Sequence, residues 1–150
     1  MRIFVTVGTT RFNTLVEVCD RLASKSSNDF VVQHANSDQV LHHASGKEFY
    51  KNITKEYTLA DVVITHAGAG SVFRLLEMNK VIIVVPNFER IDKHQYDIAR
   101  YVEENHYGLV CWKLNMLEAL LSQSRLFIPT QYSKEEFFKF EEITQMIKSL

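Results

Sequence analysis

The residues best suited to chemistry in this 150-residue chain crowd into positions 65–71, THAGAGS: one histidine, two glycines around an alanine, and a serine. The stretch follows an apolar run and precedes VFRLLEMN, whose apolar residues fall at helical spacing. Between a strand and a helix, its backbone N–H groups are the unpaired donors of a helix N-terminus. With the helix dipole, such groups bind anions, phosphate above all. Gly68 and Gly70, with Ala69 between them, lack the side chains that would hold an anion off the backbone, and Ser71 can cap the helix or donate its hydroxyl. VGTTRF, residues 7–12, repeats the arrangement, with Gly8 as a tight turn followed by the hydroxyls of Thr9 and Thr10. An ordinary capped turn accounts for either stretch alone. Two of them on one edge of a sheet make an anion site an equal reading.

The surrounding pattern supplies such a sheet. Strands are expected at 2–7, 29–34, 60–66, 81–86 and 108–112, from short β-branched and apolar runs bounded by turn residues. Helices are expected at 14–23, 71–79, 93–105 and 115–123, with a weaker helix-like segment at 38–44 and a short edge strand at 47–53. Strands alternating with helices of this length imply one α/β domain of the doubly wound, Rossmann-like kind. Its sheet should be mostly parallel, with helices on both faces. Ligands bind such sheets beyond the C-terminal strand ends. That places both glycine turns, and the residues following the strand at 81–86, on one edge.

Composition narrows the function. Hydrophobic residues make up 46% and charged residues 23%, with a formal net charge of −1. This is a globular profile without general attraction to nucleic acid or anionic membranes. Cys19 and Cys111 form no metal-type spacing and read as core thiols. His34, His42, His43 and His106 show no ligand spacing and are expected at surface or loop positions, and no metal is called for. With no stretch approaching a membrane span and no signal-type N-terminus, a cytoplasmic chain is expected. A dinucleotide fingerprint is absent, since no second glycine follows Gly8 in the required register and Phe73 stands where the 68–70 pair needs a third. No GKS or GKT of a P-loop occurs.

FVTVGTTRF near the start, ADVVITHAGAGSV in the middle, and KVIIVVPN followed by DKHQYDIA resemble, in that order, the donor-binding half of the family 28, GT-B type glycosyltransferases. The resemblance extends from residue 2 to about residue 112. It is greatest to the small subunits of two-component enzymes, in dolichol-pyrophosphate N-acetylglucosamine transfer and in bacterial capsule or exopolysaccharide assembly. It implies the C-terminal half of a GT-B fold and a UDP-sugar as co-substrate, with no further cofactor. Gly8, Thr9 and Thr10 match a loop approaching the donor diphosphate, and His66, Gly68, Ala69, Gly70 and Ser71 match the loop holding it. His94 and Gln95 match a pair contacting donor hydroxyls or phosphate, and Asn87 lies where the base or sugar pocket is shaped. Arg74 replaces a glutamate that binds ribose in much of the family, leaving Glu77, one turn on, as the candidate substitute.

A GT-B enzyme closes two such domains around a cleft, and this sequence accounts for one. The resemblance therefore implies an inverting transferase that is active only with a membrane-associated partner subunit. That partner would supply the site for a lipid-linked saccharide acceptor, recruit this chain to the inner membrane face, and carry the general base, for which no residue stands out here. SKEEFFKFEEITQMIKSL, residues 133–150, opens with Ser133 and Glu136 at capping-box spacing. Phe137, Phe140, Ile143, Ile147 and Leu150 then share one helical face, which would cover the domain's own sheet or reach the partner. The rival reading is a non-catalytic accessory protein that docks on and stimulates a transferase.

Overall fold

A computed structural model describes residues 1–90 and 93–134. Six strands form one sheet: β1 Arg2–Thr6, β2 Asp29–Gln33, β3 Ser45–Lys47, β4 Val62–His66, β5 Val81–Val85 and β6 Leu109–Val110. Their order is β3-β2-β1-β4-β5-β6, and every pairing is parallel. The helices are α1 Asn13–Lys25, α2 Ile53–Leu59, α3 Ala69–Glu77, α4 Lys93–Glu104 and α5 Leu117–Ser124, with a 3-10 turn at Leu114–Met116. This is the doubly wound α/β architecture that the sequence pattern implies.

Alternation along the strands divides the core in two. Ile3, Val5, Val32, Ile64, Ile83 and Val85 face α1 and α5, where Leu15, Val16, Cys19, Leu117 and Leu121 complete one buried cluster. Phe4, Val31, Val63, Ile82 and Val84 face the other way, against Tyr57 of α2, Val72, Leu75 and Leu76 of α3, and Ala99 and Val102 of α4. A strand buried on both faces reads as a continuous apolar run, which is why VIIVV of β5 lacks polar alternation. Both cysteines lie fully buried in the first cluster, as free thiols. Asn79 ends α3 with φ of 54°, a left-handed conformation that asparagine tolerates better than most residues.

The region between β2 and β4 departs from expectation. The segment at 38–44 is not helical, and the edge strand expected at 47–53 lies at Ser45–Lys47, followed by α2. One carboxylate explains the first difference. Asp20 of α1, itself buried, accepts N–H groups from His42 at 3.0 Å, His43 at 2.9 Å and Ala44 at 2.8 Å. A second side chain, Asn36, accepts from the Asp38 N–H at 3.1 Å. These side chains give the backbone an alternative to helical bonds. The second difference has a cap behind it: Asn52 accepts from the Lys55 N–H at 3.1 Å and starts a two-turn helix. Only Tyr57 of that helix is buried, so its sequence shows almost no periodicity. The amphipathic segment at 133–150 lies outside the described residues beyond Lys134.

Burial alone would raise the pKa of Asp20, but the N–H groups of Ala44, His43 and His42, with the charge of His43, hold it below the usual carboxylate value. Asp20→Ala leaves three N–H groups without their acceptor. We expect it to lower stability by about 2–4 kcal/mol, measured by urea denaturation. Because the folded pKa is depressed, the carboxylate's contribution is complete above the ordinary aspartate range near ~4 and is lost as pH falls through the lower folded value. In Asp20→Asn this acid-limb dependence should be absent.

Candidate functional site at the strand ends

The chain leaves β1 for β2 and β3 on one side, then crosses to β4, β5 and β6 on the other. The switch in strand order therefore lies between β1 and β4, the place where doubly wound sheets bind ligands. Thr6 pairs with Thr65 in this register, so the loops that follow, 7–12 and 67–68, emerge side by side. Gly8 and His66 thus come together from opposite sides of the switch.

Gly8 has φ of +68°, where a side chain is strained. Its loop is held from below by Gln33, whose Nε2 donates to the Gly8 carbonyl at 3.2 Å while its Oε1 accepts from the Tyr50 N–H at 3.0 Å. A Cβ on Gly8 would lie 2.5 Å from Cε1 and 2.7 Å from Nε2 of His66. A Cβ on Gly68 would fall on Nε2 of the same ring and lie 2.8 Å from Cε1. The absent side chains of these two glycines thus leave space that the imidazole of His66 fills. Gly70 differs, since nothing lies within 4 Å of the Cβ position there. It is exposed in the first turn of α3, whose N-terminus has no side-chain cap and no acidic residue. Open space over uncapped N–H groups is the arrangement an anion requires.

His66 is half-buried, and its Nδ1 is buried without a hydrogen-bond partner. Burial pushes its pKa below the usual histidine value, offset only in part by the Thr6 carbonyl. The ring is therefore neutral at neutral pH. Ser71 meets the hydroxyl of Tyr57, which also contacts Thr6. Burial pushes the Tyr57 pKa up, so that hydroxyl remains a donor.

The loop after β5 closes over this edge from the other side. Asn87 is buried with every polar group of its amide engaged: Nδ2 donates to the Arg11 carbonyl at 3.2 Å and Oδ1 accepts from the Glu89 N–H at 3.0 Å. Its backbone N–H goes to Oε1 of Gln95 at 2.8 Å. Glu89 accepts from the Thr14 N–H at 2.9 Å, and Arg90 donates to Thr10 Oγ1 at 3.1 Å. Asn87, Gln95 and Thr10 thus position the rim through these bonds. Thr9 is exposed, and so is His94 in the first turn of α4.

Glu77 is not brought to the site. It lies at the far end of α3, nine residues or about 13 Å from Gly68, with Lys134 Nζ 3.2 Å from its Oε1. Arg74 is exposed and close enough to Tyr57 for its charge to be felt there. Sequence reading missed Gln33, Tyr57 and Arg90. Gln33 had a visible signal, a polar residue closing an otherwise apolar strand, whereas Tyr57 was hidden with its helix. Of the histidines expected at surface or loop positions, His42, His43 and His106 are exposed, and His34 lies in the loop just after β2, buried there with Nδ1 unpartnered. Trp112 is half-buried at the rim and donates to Glu103 at 2.9 Å.

Comparison with known proteins places this geometry. Residues 2–149 match the glycosyltransferase family 28 C-terminal domain. The chain is 32% identical over 122 residues to the UDP-N-acetylglucosamine transferase subunit ALG13 of Homo sapiens, which covers 73% of this chain and 11% of that protein. It therefore spans about a tenth of that relative's length. Among solved structures, the NMR structure of ALG13 has a TM-score of 0.63 at 23% identity, covering 95% of this chain and 94% of the other. MurG of Acinetobacter baumannii has a TM-score of 0.73 at 15% identity, covering 100% of this chain and 50% of the other. These structural likenesses speak for the fold alone. With the family matched over nearly its whole length, the chain belongs to the glycosyltransferase family 28 C-terminal domain family.

Proposed function

We propose that this chain is the donor-binding subunit of a two-component inverting glycosyltransferase, and that its donor is UDP-N-acetylglucosamine. The observation that carries the reading is the N-terminus of α3, which has no side-chain cap and carries exposed Gly70 in its first turn, with open space at its Cβ position. A diphosphate laid there meets the helix dipole and the N–H groups of two adjacent turns. Such donors act on the leaving nucleotide as its charge develops, and they act more strongly once water is excluded. The named human relative, a UDP-N-acetylglucosamine transferase subunit, supports this donor. The capsular and exopolysaccharide settings to which the sequence resemblance extended find no support in that relative, and they are not part of the proposal.

In this reading the acceptor is a saccharide on a polyprenyl diphosphate, held by a membrane-associated partner. Among the described residues no helix is long and apolar enough to cross a membrane. The apolar series Phe137, Phe140, Ile143, Ile147 and Leu150 supplies the docking surface, since large buried side chains carry most of the energy of an interface.

Calorimetric titration with UDP, with the partner present, tests the site. Gly70→Val should weaken binding by at least about tenfold, a loss near ~1.4 kcal/mol, while the circular dichroism spectrum stays that of the parent. Unchanged affinity in a folded variant places the donor elsewhere. A transfer assay tests the division of labour. The chain alone should move no N-acetylglucosamine to a polyprenyl-diphosphate acceptor, and activity should appear when the partner is added. Transfer by the isolated chain would falsify the two-component reading.

A further inference from the structure

We infer that His66 is a positioning residue: its imidazole is the spacer that sets the separation of the two anion-binding loops, and Gly68 is glycine to admit it. The case begins with Gly68. Its backbone, at φ −82° and ψ 131°, lies in the extended region open to every residue, so conformation does not require glycine there. What requires it is the ring, which occupies the place a Cβ would take. Gly8 meets the same ring from the other loop, and there the positive φ adds a second reason. One imidazole edge, Cε1 and Nε2, therefore lies against both turns, and no other side chain is among the nearest neighbours of either Cβ position.

Nδ1 is buried without a partner, and the Thr6 carbonyl is the polar group that meets the ring. The fit of the ring between two backbones adds shape to that contact. Adjacent parallel strands lie about 4.8 Å apart. The two loops part from there toward helices on opposite faces of the sheet, and the ring fills the gap between their glycine turns. A diphosphate that contacts both turns needs their N–H groups at a fixed spacing. The ring supplies that spacing before any ligand arrives, which spares the ligand part of the ordering it would otherwise impose.

Two measurements on the full chain test this, and only the second rests on the donor reading. In the first, thermal unfolding is compared for Gly68→Ala, His66→Ala and the double variant. Gly68→Ala should lower Tm by about 5 °C or more, or fail to fold. Adding the same substitution to His66→Ala should change Tm by no more than about 2 °C. Equal penalties in both backgrounds, or a double variant that does not fold, overturn the spacer. In the second, UDP affinity is measured with the partner present for His66→Met, His66→Gln and His66→Ala. A spacer predicts that Met, apolar but of similar reach, stays within about threefold of the parent, while Ala loses on the order of tenfold. If Gln binds UDP like the parent and Met is as weak as Ala, the ring acts as a hydrogen-bonding ligand and the inference falls. If the parent itself binds no UDP, the donor reading falls, and the unfolding comparison alone decides the spacer.

Discussion

Two parallel strands joined by hydrogen bonds lie less than about 5 Å apart, so the chains that leave their C-terminal ends compete for the same space. At the β1–β4 switch the two chains part toward helices on opposite faces of the sheet, which opens a crevice between them. One loop bends at once through a positive φ at Gly8, and the other continues from a histidine into α3. Room for the ring comes only from removing Cβ atoms on both sides. The rest of the edge depends on that arrangement: Gln33 steadies the first loop from the sheet, and Asn87, Glu89 and Arg90 tie the loop after β5 across it.

Those ties explain why several polar residues on the edge face inward. Asn87 and Gln95 combine to satisfy a backbone N–H in a buried loop, where an orphaned donor would cost on the order of 1–3 kcal/mol. Thr10 accepts from Arg90. What remains exposed is small: the first turn of α3 around Gly70, and Thr9. The edge is a ledge that includes the uncapped end of α3. That suits a ligand held chiefly by its charged group, while the enclosing wall comes from elsewhere.

How much of this could be read beforehand follows from what each residue answers to. The strands and helices around both core clusters were legible because burial on both faces makes a strand such as β5 a continuous apolar run, and burial on one face gives a helix a period near 3.6, as in Val72, Leu75 and Leu76. The α2 helix was not, since one buried tyrosine in seven residues makes no pattern and its start rests on the Asn52 cap. The segment at 38–44 misled because its amides answer to Asp20, more than twenty residues away. At the site, the glycines announced that something needed space. Periodicity could not say that the space at Gly8 and Gly68 holds an imidazole and only that at Gly70 is open.

The Asp20 contact bears on more than the conformation of one loop. A carboxylate that grips three successive amides recognises main chain, which every residue but proline provides. His43 adds the charge of its ring to that grip, while the His42 ring is exposed. Exposed positions such as Ser37, Asp38 and Val40 are thus free to change their chemistry over evolutionary time without loosening this anchor, while Leu41 packs against the core. Only proline at 42, 43 or 44 is barred by the mechanism itself. The hold on this loop is inherited through a residue of another element, and the loop's own sequence is left as raw material.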